Sequence, residues 1–112
     1  MGVQDDRSQR DPRFLSNRLN ETVLVLEVDG ELDIGSADAL REALDAAERQ
    51  GDVVRVDAGG VRFLDSTALG VLLASAQRLS ARGGRLELMN VSPAVRRILD
   101  MTLIARTVHV IS

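Results

Sequence analysis

At Asp65-Ser66-Thr67 three short oxygen-bearing side chains meet between an apolar run, Phe63-Leu64, and an amphipathic helical pattern, in the stretch VRFLDSTALGVLLASAQRL. Two chemistries suit such a triplet. Its side-chain oxygens can accept hydrogen bonds from the unpaired amides of a first helical turn, which makes it an N-cap. With Asp65 as the cap, Ser66 falls at the first helical position with its hydroxyl exposed on a rigid mount, the condition a phosphoacceptor needs. Thr67 offers a second hydroxyl on the same turn. Asp33, like Asp65, follows a predicted strand, so in a parallel sheet both carboxylates lie at one edge, where open α/β sheets place their sites. Two carboxylates hold a magnesium ion only with other ligands such as phosphates. No second polar cluster completes such a site, and no metal or cofactor is implied.

Other catalytic groups are scarce. His109 is the only histidine, and it sits in a strand pattern between Val108 and Val110, where an ordinary strand residue is the simpler reading than a general base. Nothing in the spacing brings it to Ser66 as a triad would require. The glycine pairs 59-60 and 83-84 fall at element boundaries, belong to no phosphate-cradling motif and read as turns. Cysteine is absent, which removes disulfides, thiolate zinc sites and thiol nucleophiles together. The chain does not read as an enzyme.

The elements that must position these residues form one domain's worth of chain, 112 residues. Residues 1–12 are polar and aperiodic and are expected to be a flexible tail, with the domain spanning 13–112. Net charge is −3 with both signs dispersed, and aromatic residues are 2% of the total, so neither a phosphate-binding surface nor a base-stacking platform for nucleic acid is present. No apolar run reaches the ~20 residues of a membrane span. With no disulfide to require oxidising conditions, the cytoplasm is the expected compartment. Every basic residue is Arg, which hints at a GC-rich, bacterial genome.

Strand and helix signals alternate from Phe14. Phe14 to Leu19 reads as a short edge strand and Thr22 to Val28 as an interior strand, apolar on both faces. DGELD then breaks the strand, Ser36 is the expected N-cap of a helix carrying Leu40, Ala43, Leu44 and Ala47 at helical spacing, and Gly51 is its stop. Val53 to Asp57 reads as a third strand, followed by the Gly59-Gly60 turn and the helix after Asp65. Arg85 to Asn90 alternates as a fourth strand, with Leu86 and Leu88 on one face. Ser92-Pro93 is a cap with proline at the first helical position. Val95, Ile98 and Leu99 form the stripe of a third helix, and Thr107 to Ile111 closes as a strand. The order β-β-α-β-α-β-α-β predicts an α/β domain with a mixed, largely parallel sheet and helices packed against it.

On the helix after Asp65, Leu69, Leu72, Leu73, Ala76 and Leu79 share the predicted buried face. The opposite face, Thr67, Gly70, Val71, Ala74, Arg78 and Ala81, is small and partly apolar. Gly70 costs roughly 1 kcal/mol relative to Ala inside a helix. Such a face suits close approach by a protein partner, and equally an alanine-rich helix of a GC-rich genome.

GELD (Gly30 to Asp33), FLDSTALGVLL (Phe63 to Leu73), the GG turn at 83-84 and SPAVRRILDM (Ser92 to Met101) occur in this order and spacing. Together, over about residues 14–111, they resemble the STAS domain of bacterial anti-sigma factor antagonists. The resemblance implies phosphorylation of Ser66 in preference to Thr67, by a partner kinase that is itself the anti-sigma factor. It places Asp65 as the preceding acid and Asp33 as the acid of the first strand-helix loop. It also implies that the unphosphorylated chain binds the anti-sigma factor; the matched Asp33, Asp65 and Ser66, with Thr67, Gly70, Val71 and Ala74 of the outer helix face, make up the expected binding surface. Phosphorylation would end that binding, a separate phosphatase would restore it, and sigma-dependent transcription would follow. Single domains of this kind also serve as non-catalytic subunits of lipid-transport ATPase complexes, the alternative role. Two positions depart from the family pattern. Ala68 stands where glycine is usual, and its methyl is expected to crowd the docking surface. Thr102-Leu103-Ile104 follows Met101 in place of Ser-Gly-Leu, a change expected to alter a helix end.

Overall fold

A computed structural model describes residues 12–102 and 107–111. Five strands and three helices follow the expected order: β1 (Arg13–Arg18), β2 (Val23–Leu32), α1 (Ala37–Glu48), β3 (Val53–Leu64), α2 (Ser66–Ala81), β4 (Arg85–Met89), α3 (Pro93–Asp100) and β5 (His109–Val110). The sheet order is β1-β2-β3-β4-β5. β1 runs antiparallel to β2, and every later pairing is parallel. The expected tail at 1–12 falls outside the described residues except for Pro12, and so do Leu103 and Ile104 of the altered helix end.

The three crossovers from β2 to β5 all step in one direction across the sheet. Because such connections are right-handed, α1, α2 and α3 lie on one face. That face receives Leu24, Leu26 and Val28 of β2, Val54 and Val56 of β3, and Leu86 and Leu88 of β4. With Leu40 and Leu44 of α1, Leu69, Leu72 and Leu79 of α2, and Val95 and Leu99 of α3 they make one core. The alternate β2 residues Glu27 and Asp29 face solvent, as the two-residue period requires.

Two expected breaks are absent. DGELD does not end β2, which runs on to Leu32, and Gly59-Gly60 is no turn, since β3 continues to Leu64. The two strands carry each other past these residues. Between the pairs Glu27↔Asp57 and Asp29↔Gly60, and again between Gly30↔Val61 and Glu31↔Phe63, β3 advances one residue more than β2. The extra residues bend the strand without ending the pairing. Gly30 takes φ +113°, a region open to glycine, and at Gly60 a Cβ would stand 1.8 Å from Asp29 Oδ1. The glycines that read as turn signals are thus a bend and a close approach within a long strand pair.

Helix ends follow local chemistry more closely. Ser92 Oγ accepts from Val95 N at 3.1 Å with Pro93 next in line, as expected. Ser36 does not cap α1 with its side chain. Its Oγ accepts from Asp33 N at 3.0 Å and donates to Glu31 O at 3.1 Å, pinning the loop back onto β2. α1 ends at Glu48, before Gly51, although Gly51 N still donates to Ala47 O.

Two buried carboxylates gave no signal in the sequence. Glu48, at the end of α1, accepts from buried Ser75 Oγ at 2.6 Å and from Arg78 Nε and Nη2 at 2.8 Å each, both on α2. Arg82 adds bonds to the backbone oxygens of Glu48 and Gly51. Glu87 of β4 is held by Arg55 Nε at 2.8 Å and Arg85 Nε at 2.6 Å. Burial raises the pKa of each carboxyl, but the arginine bonds and charges outweigh it and hold both below the usual glutamate value. A carboxyl depressed in the folded state stabilises above its unfolded pKa, ~4.3, and that contribution is lost as pH falls through the folded value. Urea titrations across pH 2–7 are therefore expected to show stability falling below about pH 4. Glu87→Gln should flatten this fall, and a variant curve parallel to the wild-type curve would refute the assignment.

Candidate functional site

The carboxyl edge of the parallel strands gathers the loop after β2 and the junction between β3 and α2. Asp65 N donates to Leu32 O at 3.0 Å, so the two strand ends are tied by the backbone. The Asp65 side chain ties them again. Its Oδ1 accepts from Ala68 N at 3.0 Å, capping α2, while Oδ2 accepts from Ile34 N at 3.0 Å in the neighbouring loop. One carboxylate thus fixes both a helix start and the loop beside it.

Asp33 shapes that loop from within. Its Oδ1 accepts from Gly35 N at 3.0 Å and Ser36 N at 3.2 Å, closing the turn that leads into α1. The sheet brings Asp33 and Asp65 to the same edge, yet each carboxylate is engaged with backbone amides. Among the described residues no group of three or more His, Cys, Asp or Glu is placed to hold a metal ion.

Ser66 is the first residue of α2 and is exposed, whereas Thr67 is half-buried. Neither hydroxyl has a hydrogen-bond partner among the described residues. The amides of this first turn beyond the one Asp65 takes point outward, and with the helix dipole they favour an anion at Ser66. The cap reading and the free-hydroxyl reading therefore hold together, because different residues carry them.

The outer face of α2 is narrower than its periodicity implied. Gly70 is exposed and Ala74 half-buried, but Val71 is buried in the core. α2 packs on α1 as well as on the sheet, through the Glu48 cluster, so its buried arc takes in Val71 and Ser75 as well as the leucine stripe. A Cβ added at Gly70 would meet nothing within 4 Å. Ala68 is 0% exposed, and its methyl belongs to the core. The expectation that it crowds the docking surface is corrected: an N3 residue on this helix points inward.

Two exposed apolar residues beside the site were not anticipated. Ile34, with its amide on Asp65, leaves its side chain 76% exposed, and Phe63 is 49% exposed just before the junction. An aliphatic residue in the otherwise polar DIGS loop was the available signal for Ile34. His109 lies on β5, exposed, at the edge of the sheet away from this junction.

The STAS domain profile matches residues 15–112. The anti-sigma-B factor antagonist of Bacillus subtilis is 36% identical over 83 residues, 74% of this chain and 76% of that protein. An anti-sigma factor antagonist from Mycobacterium paratuberculosis superposes with a TM-score of 0.79 at 27% identity, covering 90% of this chain and 86% of the other. SpoIIAA of Bacillus, at 22% identity, shares the fold in its unphosphorylated form (TM-score 0.74, 89% of each chain). It does so also in its phosphorylated form (TM-score 0.69, 89% of this chain and 92% of that one). No described helix is long and apolar enough to cross a membrane.

Removing the Asp65 carboxylate should release both amides it holds. Asp65→Ala is expected to lower stability by about 1–2 kcal/mol in denaturant titrations, as loss of a cap does, and to speed hydrogen exchange at Ile34 and Ala68 together. Faster exchange at Ala68 with Ile34 unchanged would show that the bridge is not a unit.

Proposed function

The chain belongs to the STAS-domain family, and from that premise we propose that it is an anti-sigma factor antagonist switched by phosphorylation of Ser66. The observation that carries this reading is the exposed, unpartnered Ser66 hydroxyl at the first turn of α2, held in place by Asp65. The unphosphorylated chain docks on an anti-sigma factor kinase through the edge of the sheet and the outer face of α2. Ser66, Thr67, Gly70 and Ala74 lie along that face, with Asp33 and Asp65 behind it. Ile34 and Phe63 supply apolar surface beside it, and Val71 supports it from the core.

The bound kinase then turns the contact against itself. Ser66 Oγ attacks the γ-phosphorus of ATP, its proton passes to a base of the kinase, and the bond to ADP breaks. The phosphoserine carries about −1.5 to −2 charges near neutral pH. At a helix N-terminus that charge is tolerated, so the fold need not change. The complex is different. A phosphate about 6 Å from one partner carboxylate, at an effective dielectric near 20, is opposed by about 3 kcal/mol for each unit of charge. Since ~1.4 kcal/mol is tenfold in affinity, release by a hundredfold or more follows from charge alone. A phosphatase hydrolyses the ester and restores docking. The chain has no part in the chemistry beyond supplying the acceptor, and it acts in the cytoplasm, where sigma factors work.

SpoIIAA, solved in both states, supports the reading to the extent that this fold accommodates a phosphate. Gly70 supports it from within the chain. The interior of a helix is about 1 kcal/mol more stable with Ala than Gly, and the chain itself leaves open space at Gly70. Its small size leaves room for a partner to approach the helix closely.

Three variants test the proposal. After incubation with ATP and host lysate, mass spectrometry should find one phosphoryl group on Ser66, absent from Ser66→Ala. Ser66→Ala should still bind the kinase, and Ser66→Asp should not. Wild-type affinity in Ser66→Asp would refute the switch, and stable capture of a transport ATPase by an unmodified chain would argue for the lipid-transport role instead. Gly70→Ala should raise the unfolding free energy by up to about 1 kcal/mol while weakening kinase binding. Equal binding by Gly70→Ala would remove α2 from the interface.

A further inference from the structure

We propose that the groove between α1 and α2 receives a carboxylate of the anti-sigma partner between Arg41 and Arg78, and that Arg41 selects the partner which Ser66 then switches. The inference rests on the antagonist reading and assigns a second, separate task to the same face.

The groove is about 160 Å³ and is lined by Arg41, Thr67, Gly70, Val71, Ala74 and Arg78. Small-molecule and cofactor sites run from roughly 300 to 1,000 Å³, so this groove is the size of one side chain. No acidic residue lines it, and its two charged walls are both guanidinium groups.

The arginines differ in how firmly they are held. Arg78 is fixed by the Glu48 cluster, through Nε to Glu48 Oε1 at 2.8 Å and Nη2 to Glu48 Oε2 at 2.8 Å and Asp45 Oδ1 at 3.2 Å. Its Nη1 has no partner among the described residues. Among the described residues the only ion pair of Arg41 is with Asp38, Nη1 to Oδ1 at 2.5 Å, one turn away on the same helix, and the Asp38 side chain is 91% exposed. A surface pair of this kind contributes no more than a few tenths of a kcal/mol. Its Nε and Nη2 have no partner among the described residues.

The Nε and Nη2 donors of Arg41 form one planar fork that matches the two-oxygen geometry of a carboxylate, with Arg78 Nη1 as a further donor among the groove's residues. The groove also begins at Thr67, the neighbour of Ser66. A partner carboxylate seated there lies beside the point where phosphate is added, which locates the negative charge that the phosphate repels.

Surface plasmon resonance with the purified cognate anti-sigma kinase, at low and high salt, tests the groove. Arg41→Glu should weaken binding about tenfold or more, chiefly in the association rate, and flatten its dependence on salt, as loss of a steering charge does. Arg41→Lys should keep the association rate and salt dependence but dissociate faster, because the ammonium loses the planar fork. Thermal unfolding of both variants should match wild type. If Arg41→Glu binds with wild-type rate and salt dependence while Ser66→Asp still abolishes binding, the groove is wrong and the switch stands. If the wild-type chain itself does not bind the kinase, the antagonist reading fails and the groove with it.

Discussion

The Asp65 carboxylate is the contact on which the site depends. Two strand ends, a loop and a helix meet at one residue, whose carboxylate accepts from the helix amide of Ala68 and the loop amide of Ile34. Losing a helix cap costs about 0.5–2 kcal/mol, and the same carboxylate also holds the exposed Ile34 amide, so one side chain serves a helix and a loop at once. By accepting from Ala68 N it takes the capping task away from Ser66, and the serine hydroxyl is left to project from a rigid turn. By accepting from Ile34 N it sets the loop beside that hydroxyl. Presentation of Ser66 is thus a by-product of how the backbone is satisfied.

Beside this point the domain presents a face of small residues with a shallow groove that begins at Thr67. The sheet and one-sided helices provide the mount, and the Glu48 cluster fixes α2 against α1, so the exposed parts of the two helices form one face. Charge then divides the surface. Asp33 and Asp65 are held by amides at the strand edge, while Arg41 and Arg78 flank the groove beyond Thr67. In the proposed switch, a phosphate at Ser66 alters what docks without disturbing what folds.

Most of the architecture was legible because it is periodic. The leucines of α2, the alternation in β4 and the Ser92-Pro93 start of α3 state their structure locally. What was not legible depends on residues far apart in the chain. Gly30, Gly59 and Gly60 are turn residues by local rule, but the pairing of β2 with β3 carries the strands through them, and the room for Asp29 over Gly60 exists only once those strands are adjacent. Ser36 is a good cap by type, but Asp33 N and Glu31 O claim its hydroxyl first. A helical wheel, which shows one buried face, places Val71 at the surface, whereas α2 has neighbours on two sides and buries it. Glu48 and Glu87 read as ordinary surface acids until the fold brings arginines to them. At the junction, the Asp65 cap and the exposed first-turn position of Ser66 were legible from residue type and position, while the exposure of Ile34 and Phe63 was not, since it arises from tertiary structure.

The central claim is that a phosphate at Ser66 changes binding and not the fold. It is tested most directly by titrating the purified anti-sigma kinase with unmodified chain and with chain stoichiometrically phosphorylated at Ser66, with unfolding curves of both forms alongside. The account predicts an affinity at least about a hundredfold weaker for the phosphorylated chain, equivalent to ~2.7 kcal/mol, with unfolding midpoints nearly the same. Equal affinities, or a weaker affinity accompanied by loss of the folded state, would contradict it.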